Sequence, residues 1–272
     1  MDPASMWDAA GGRDRSRSIQ VRPVRHPAKS EARRSARAIL RTDHKGTGRM
    51  CNLYSNTTAQ EAMRRLFDVS LELDRLGNAQ PLPAIWPKYE APVVRLDAEG
   101  RREMVMMHWG FLTPKTSAKT GKPLAPDAWN NARDDKRGSG LWRASFQSRR
   151  CLIPGSSFRE AKGRAPATDF WFALAGEEER PPFAFAGLWR QGQPGVDGEA
   201  GQWATHTMMT TEANDLVRPV HPTRMPVILA PEDYETWLTG TAEAAAALLR
   251  PYPAERMRIV REGIGMTSDP MS

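Results

Sequence analysis

Met50-Cys51-Asn52-Leu53-Tyr54 places a cysteine directly behind an initiator-like methionine, and that order decides what the cysteine can do. As the first residue of a chain, Cys51 would carry an α-amine and a thiol on adjacent carbons, a 1,2-aminothiol. A free α-amine titrates near pH 8 and a cysteine thiol near about 8.5, so both are partly nucleophilic around neutrality without tuning. The amine condenses with an aldehyde to an imine, and the thiol closes on that imine to a five-membered thiazolidine. The implied target is an aldehyde. An internal cysteine offers only sulfur, and unpaired cysteines are among the most buried residues, so on this pentapeptide alone a plain core thiol is the stronger reading.

Three further segments set polar or reactive residues in apolar surroundings. They are Trp129-Asn130-Asn131-Ala132-Arg133, Arg149-Arg150-Cys151-Leu152-Ile153-Pro154 running on to Ser157-Phe158-Arg159-Glu160, and His221-Pro222-Thr223-Arg224-Met225-Pro226-Val227-Ile228-Leu229. A glutamate relays protons well when burial raises its pKa toward neutrality. A histidine titrates in that range unaided. An asparagine orients a reacting group without changing charge. Taken singly, each has an ordinary reading: a solvated surface glutamate, a loop histidine, a turn asparagine.

The elements that would hold these residues are mostly short strands. Val93–Leu96, Met104–Trp109, Phe170–Ala175, Phe183–Gly187, Thr205–Thr211 and Val227–Leu229 are apolar or alternating runs broken by Gly, Pro and acidic turns. Thr58-Ala59-Gln60-Glu61 has the capping-box pattern and opens a helix whose Met63, Leu66 and Phe67 share a face. Pro231–Leu238 and Ala242–Leu249 read as two more helices. The pattern predicts an α+β fold, a curved, mainly antiparallel β-sheet or barrel with flanking helices. Residues 113–140 and 190–203 read as long surface loops, and the chain from Asp269 as a frayed tail.

Composition bounds the rest. At 272 residues and 40% hydrophobic, the chain can bury one good core. No apolar run approaches a membrane span and no secretory signal opens the chain, so a soluble, cytoplasmic protein is expected. Its two cysteines argue against a disulfide framework and a structural zinc site, and nothing calls for a cofactor. The formal charge of +7 lies wholly in residues 1–49, which hold 12 Lys and Arg against five Asp and Glu. From Met50 onward 27 basic residues face 27 acidic ones, so overall charge does not argue that this part binds nucleic acid. Residues 1–49 read as a disordered basic extension, or as a segment upstream of the true start at Met50. On that second reading methionine aminopeptidase removes Met50 and exposes Cys51. Residues 50–265 read as the folded domain and 266–272 as a tail.

Seven ordered segments carry a resemblance. Met50-Cys51-Asn52, Trp109-Gly110-Phe111, Asn131-Ala132-Arg133, Arg149-Arg150-Cys151-Leu152-Ile153-Pro154, Phe185-Ala186-Gly187-Leu188-Trp189, Met209-Thr210-Thr211-Glu212-Ala213-Asn214 and Met225-Pro226-Val227-Ile228-Leu229 resemble, in order, the SOS-response-associated peptidase (SRAP) family over roughly residues 50–262. The resemblance implies a sensor of abasic sites in single-stranded DNA that crosslinks to the ring-opened sugar through an N-terminal cysteine. It implies Cys51 as nucleophile, Asn131 as the residue that orients it, Glu160 as proton shuttle and His221 as the aid to sugar opening. It also implies Arg133 and Arg224 near phosphates and Trp109 stacking on bases or lining the cleft, with Arg95 a weaker DNA-contact candidate. The expected partner is single-stranded DNA containing abasic sites, met by a monomer at the nucleoid during the DNA damage response. A cysteine (auto)peptidase using Cys51, with lyase activity, and a non-covalent single-strand binder are the alternatives. Three departures stand out: Ser157-Phe158-Arg159-Glu160-Ala161 replaces the family's Gly-Phe-Tyr-Glu-Trp, Leu53 replaces a basic residue, and His221 to Met225 is one residue longer.

Overall fold

The computed structural model describes residues 51–192 and 202–269. The basic extension and most of the 190–203 segment lie outside the described residues. Among the described residues, fifteen strands and four short α-helices follow in order. The strands are β1 (Tyr54–Asn56), β2 (Leu82–Ile85), β3 (Glu90–Leu96), β4 (Arg102–Trp109), β5 (Phe111–Thr116), β6 (Pro123–Trp129), β7 (Asn131–Arg133), β8 (Arg150–Gly155), β9 (Ser157–Lys162), β10 (Thr168–Leu174), β11 (Phe183–Gln191), β12 (Ala204–Glu212), β13 (Arg224–Pro226), β14 (Ile228–Leu229) and β15 (Met257–Ile264). The helices are α1 (Gln60–Phe67), α2 (Arg143–Ser148), α3 (Tyr234–Thr239) and α4 (Ala242–Ala247).

The larger sheet runs β13-β12-β4-β3-β8-β11-β14, and β12 also pairs with β11, so five of its strands close into a ring. A second sheet runs β15-β10-β9-β1-β2, and β5 and β6 form a separate hairpin. Pairing is antiparallel throughout except where β12 meets β4 and β7. The expected α+β class and barrel-like curvature are therefore what the chain adopts. Alternation along the ring strands sends Leu152, Ala186 and Met209 into a cluster with Phe67, Tyr234 and Trp237 of the helices. Their neighbours Cys151, Ile153, Phe185 and Met208 join Cys51, Tyr54, Phe158 and Phe172 of the second sheet. Because both clusters draw on this one unit, it carries its own core.

Several local expectations are corrected. Segment 113–140 is not a loop: β5 and β6 pair from Phe111↔Trp129 to Thr116↔Pro123. Its Lys, Thr and Asp residues hide the alternation, since the ribbon is largely solvent-exposed and has little apolar face to show. The capping box does not form either. The helix starts one residue late for it, with Ala59 at the N-cap and no side-chain cap, whereas Thr241 caps α4 by accepting the Ala244 N–H. Asp269 does not fray: it is buried, accepts from Ser157 Oγ and is gripped by Arg180 at 2.7 and 2.9 Å.

Gly110 fixes the corner between β4 and β5. Its φ of +113° is closed to ordinary side chains, and a Cβ there would lie 2.9 Å from Ala128 Cβ. Beyond the hairpin, β6 leads directly into Asn130 and Asn131 at the start of β7, which pairs with β12.

Candidate active site around Cys51

Cys51 is fully buried where the second sheet meets the ring. β1 lies between β2 and β9, with Tyr54 opposite Phe158, so the residues preceding β1 run alongside β9. The Arg159 N–H donates to Leu53 O at 3.0 Å, continuing that register by one bond. This geometry brings Glu160, the next residue of β9, level with Cys51. The Cys51 N–H donates to Glu160 Oε1 at 2.9 Å.

Two amides hold the other side of the same residue. Asn131 Nδ2 donates to Cys51 O at 2.9 Å and Asn130 Nδ2 donates to it at 3.0 Å. Both asparagines are set by the parallel pairing of β7 with β12, in which Met208 lies opposite Asn131 and the Met208 N–H bonds Asn130 O at 3.0 Å. The indole N–H of Trp109 adds a 2.9 Å bond to Asn130 O. Asn130 was not singled out from sequence. Its signal was the adjacent pair of amides at a strand start, which reads equally well as turn chemistry.

Burial dominates the electrostatics. It pushes the Glu160 carboxyl up to about 8, although the Cys51 N–H and the Arg159 guanidinium pull the other way. The Cys51 thiol is also pushed well above its ordinary value, first by burial and then by the Glu160 charge. Around neutrality the site therefore favours a protonated carboxyl and a neutral thiol. Arg159, which stands where the family pattern has tyrosine, pairs with buried Asp169 and reaches Asn52 Oδ1 at 3.4 Å.

His221 follows Val220 in the turn between β12 and β13, and Val217, Val220 and Met225 all belong to the cluster that contains Cys51. Its Nδ1 accepts the Arg224 N–H at 3.3 Å, so the neutral ring carries its proton on Nε2. The hydrogen bonds thus unite Cys51, Asn131, Asn130 and Glu160, with His221 on a neighbouring turn.

The expected DNA contacts fare differently. Trp109 has no exposed surface and packs edge-on to Tyr54 at 4.9 Å, so the expectation that it stacks on bases is corrected: it is core. Arg224 is 13% exposed and sits 2.5 Å from both Asp134 Oδ1 and Thr210 O, an internal tie rather than an open phosphate contact. Arg95 bonds Glu103 at 2.8 Å and lies over the Trp189 ring. Arg133 is half exposed and forks onto Asp135 at 2.9 and 2.7 Å. Among the described residues no group of His, Cys, Asp and Glu gathers as a metal site, and no helix is long and apolar enough to cross a membrane.

Trp109→Ala is accordingly expected to destabilise the fold by about 3–5 kcal/mol, the range for emptying a large aromatic site. Urea unfolding checks it. An unchanged midpoint would return Trp109 to the surface.

These observations define a mainly antiparallel α+β protein with a polar cluster built on a buried cysteine and a buried glutamate. The SOS response associated peptidase (SRAP) family matches residues 50–262, and the chain belongs to that family. It is 27% identical over 221 residues to the abasic site processing protein YoaM of Bacillus subtilis, covering 76% of this chain and 88% of that one. It is 34% identical over 186 residues to the abasic site processing protein YoqW of the same organism, covering 66% and 78%. A crystal structure of a Bordetella bronchiseptica protein superposes with a TM-score of 0.60 at 28% identity, covering 79% of this chain and all of that one. A Bacteroides thetaiotaomicron protein at 19% identity shares the fold, with a TM-score of 0.56 over 79% of this chain and 91% of its own.

Proposed function

We propose that this protein captures abasic sites in single-stranded DNA by forming a thiazolidine between the ring-opened sugar and Cys51, once Cys51 is the first residue. The observation that carries the reading is the 2.9 Å contact between the Cys51 nitrogen and the buried Glu160 carboxyl. The names of the relatives, abasic site processing proteins, point to the same substrate.

The chemistry is a condensation. The Cys51 amine adds to the sugar aldehyde to give a carbinolamine. Glu160 protonates the hydroxyl that leaves as water and takes up the nitrogen proton in return, forming the imine. The thiol then adds to the imine carbon, and its proton passes to the imine nitrogen. One water is released overall. Asn131 and Asn130, held on Cys51 O, keep amine and thiol facing one point. His221 assists ring opening of the sugar through its Nε2 proton. Sulfur loses its proton to the nitrogen as it adds to the imine, whereas a peptidase needs a standing thiolate, which burial of Cys51 disfavours.

The test uses protein beginning at Cys51 and a single-stranded oligonucleotide with one abasic site. Wild type is expected to give an adduct that survives denaturation, and Cys51→Ala none. Equal yields from the two proteins would sink the mechanism. Intact affinity for unmodified single strands alone would favour a non-covalent binder.

A further inference from the structure

With Trp109 buried, the described residues leave a different aromatic open beside the site. Trp129 is 48% exposed and is the residue immediately before Asn130, whose amide reaches Cys51 O. Consecutive Cα atoms stand about 3.8 Å apart, so the Trp129 backbone lies one residue from an amide that holds Cys51 O. The indole is also pinned in place. Trp129 Nε1 donates to Thr113 Oγ1 at 2.9 Å, a diagonal contact across the hairpin, and its backbone oxygen accepts from Thr207 Oγ1 at 2.9 Å. A large exposed aromatic held by two hydrogen bonds is a prearranged flat surface rather than a core residue left uncovered.

The hairpin that carries it is basic. Lys115, Lys119 and Lys122 face a single acid, Asp127, and only Lys115 pairs with it, at 2.8 Å. No ion pair is described for Lys119 or Lys122, which flank the Gly121 turn at the far end. The arms from Phe111 to Thr116 give a ribbon about 20 Å long at roughly 3.3 Å per residue. That length matches about six stacked nucleotides at about 3.4 Å each. Leu124, on the same hairpin and 48% exposed, has neither the aromatic face nor the pinned geometry.

Resting on the function proposed above, we infer that Trp129 stacks on the base neighbouring the reacting abasic sugar, and that the hairpin guides that strand outward toward Lys119 and Lys122. An unpaired strand suits the surface because every base has a π-face and every linkage a negative charge. The missing base of an abasic site leaves its neighbour without a stacking partner on one side. Trp129 fills that gap.

The test measures binding of protein beginning at Cys51, the unit shown above to carry its own core, to a fluorescent single strand with one stable abasic analogue that cannot open to an aldehyde. Trp129→Ala is expected to weaken binding about tenfold, with Trp129→Phe recovering most of that affinity and Leu124→Ala matching wild type. The Lys119→Ala/Lys122→Ala double variant is expected to flatten the slope of log affinity against log salt by about 1.4, since each phosphate that a lysine neutralises on a single strand contributes roughly 0.7. If wild type binds and crosslinks but Trp129→Ala does both equally well, the stacking role is overturned and the covalent function stands. If wild type neither binds nor crosslinks, the underlying function fails and this inference with it. A Trp129→Ala protein with a lower unfolding midpoint and unaltered DNA affinity would mark the residue as structural and also overturn the proposal.

Discussion

Glu160→Gln is expected to slow adduct formation by about 10²- to 10⁴-fold while leaving the fold intact, because glutamine keeps an oxygen for the 2.9 Å Cys51 contact but carries no transferable proton. The same variant exposes the cost of burying the acid. In the folded protein the carboxyl titrates at about 8, against about 4.3 when unfolded. Below about pH 4 both states hold the proton and nothing is lost. Between those values the unfolded chain releases its proton and the folded one does not, so stability falls by about 1.4 kcal/mol per pH unit, then levels off above pH 8. Glutamine has no such window. The gap in melting temperature between Glu160→Gln and wild type should therefore widen in favour of the variant from pH 5 to pH 8. It should narrow in protein beginning at Cys51, whose ammonium would offer the carboxylate a partner. Melting curves across pH and single-turnover crosslinking rates check both halves; wild-type stability that is flat over that window would show that Glu160 is ionised and solvated.

What the sequence made legible and what it hid follow from burial. Strands β3, β4, β10, β11 and β12 were visible because their apolar or alternating residues meet one of the buried clusters. The hairpin β5–β6 was invisible because exposed strands show no apolar period. Cys51, Asn131 and Glu160 were nominated through the family's ordered motifs, and the hydrogen bonds bring them together. Trp109 was misread because a tryptophan beside glycine gives no hint of whether its ring faces in or out; only the packing against Tyr54 and the bond to Asn130 O decide. The tie of Arg224 to Asp134 was hidden for a related reason. Asp134 is 90 residues away in sequence and reaches Arg224 only because β7 pairs with β12, from whose end the chain returns as β13. The C-terminal anchor at Asp269 likewise depends on Arg180 and Ser157, which no local pattern connects to it.

A chain that keeps even one residue before Cys51 is expected to form no durable adduct, however well it binds DNA. In that chain the Cys51 nitrogen is an amide, whose lone pair is delocalised into the carbonyl, and it cannot add to an aldehyde. The thiol alone can add, but the hemithioacetal it gives reverts when the protein is denatured. Glu160 then accepts one N–H and has no amine proton to move. The complementary deletion isolates the other half of the warhead: Cys51→Ser in protein beginning at residue 51 keeps the amine, so its imine should be trapped by borohydride yet disappear without it. Wild type beginning at Cys51 should need no reductant, because ring closure by sulfur does the trapping. Denaturing gels with and without borohydride, read beside the intact mass of each protein, separate these states. A borohydride-independent adduct from protein whose mass still includes Met50 would remove the amine from the mechanism and leave the thiol as sole nucleophile. Absence of that adduct, with full reactivity once Met50 is gone, would tie function to the loss of everything before Cys51.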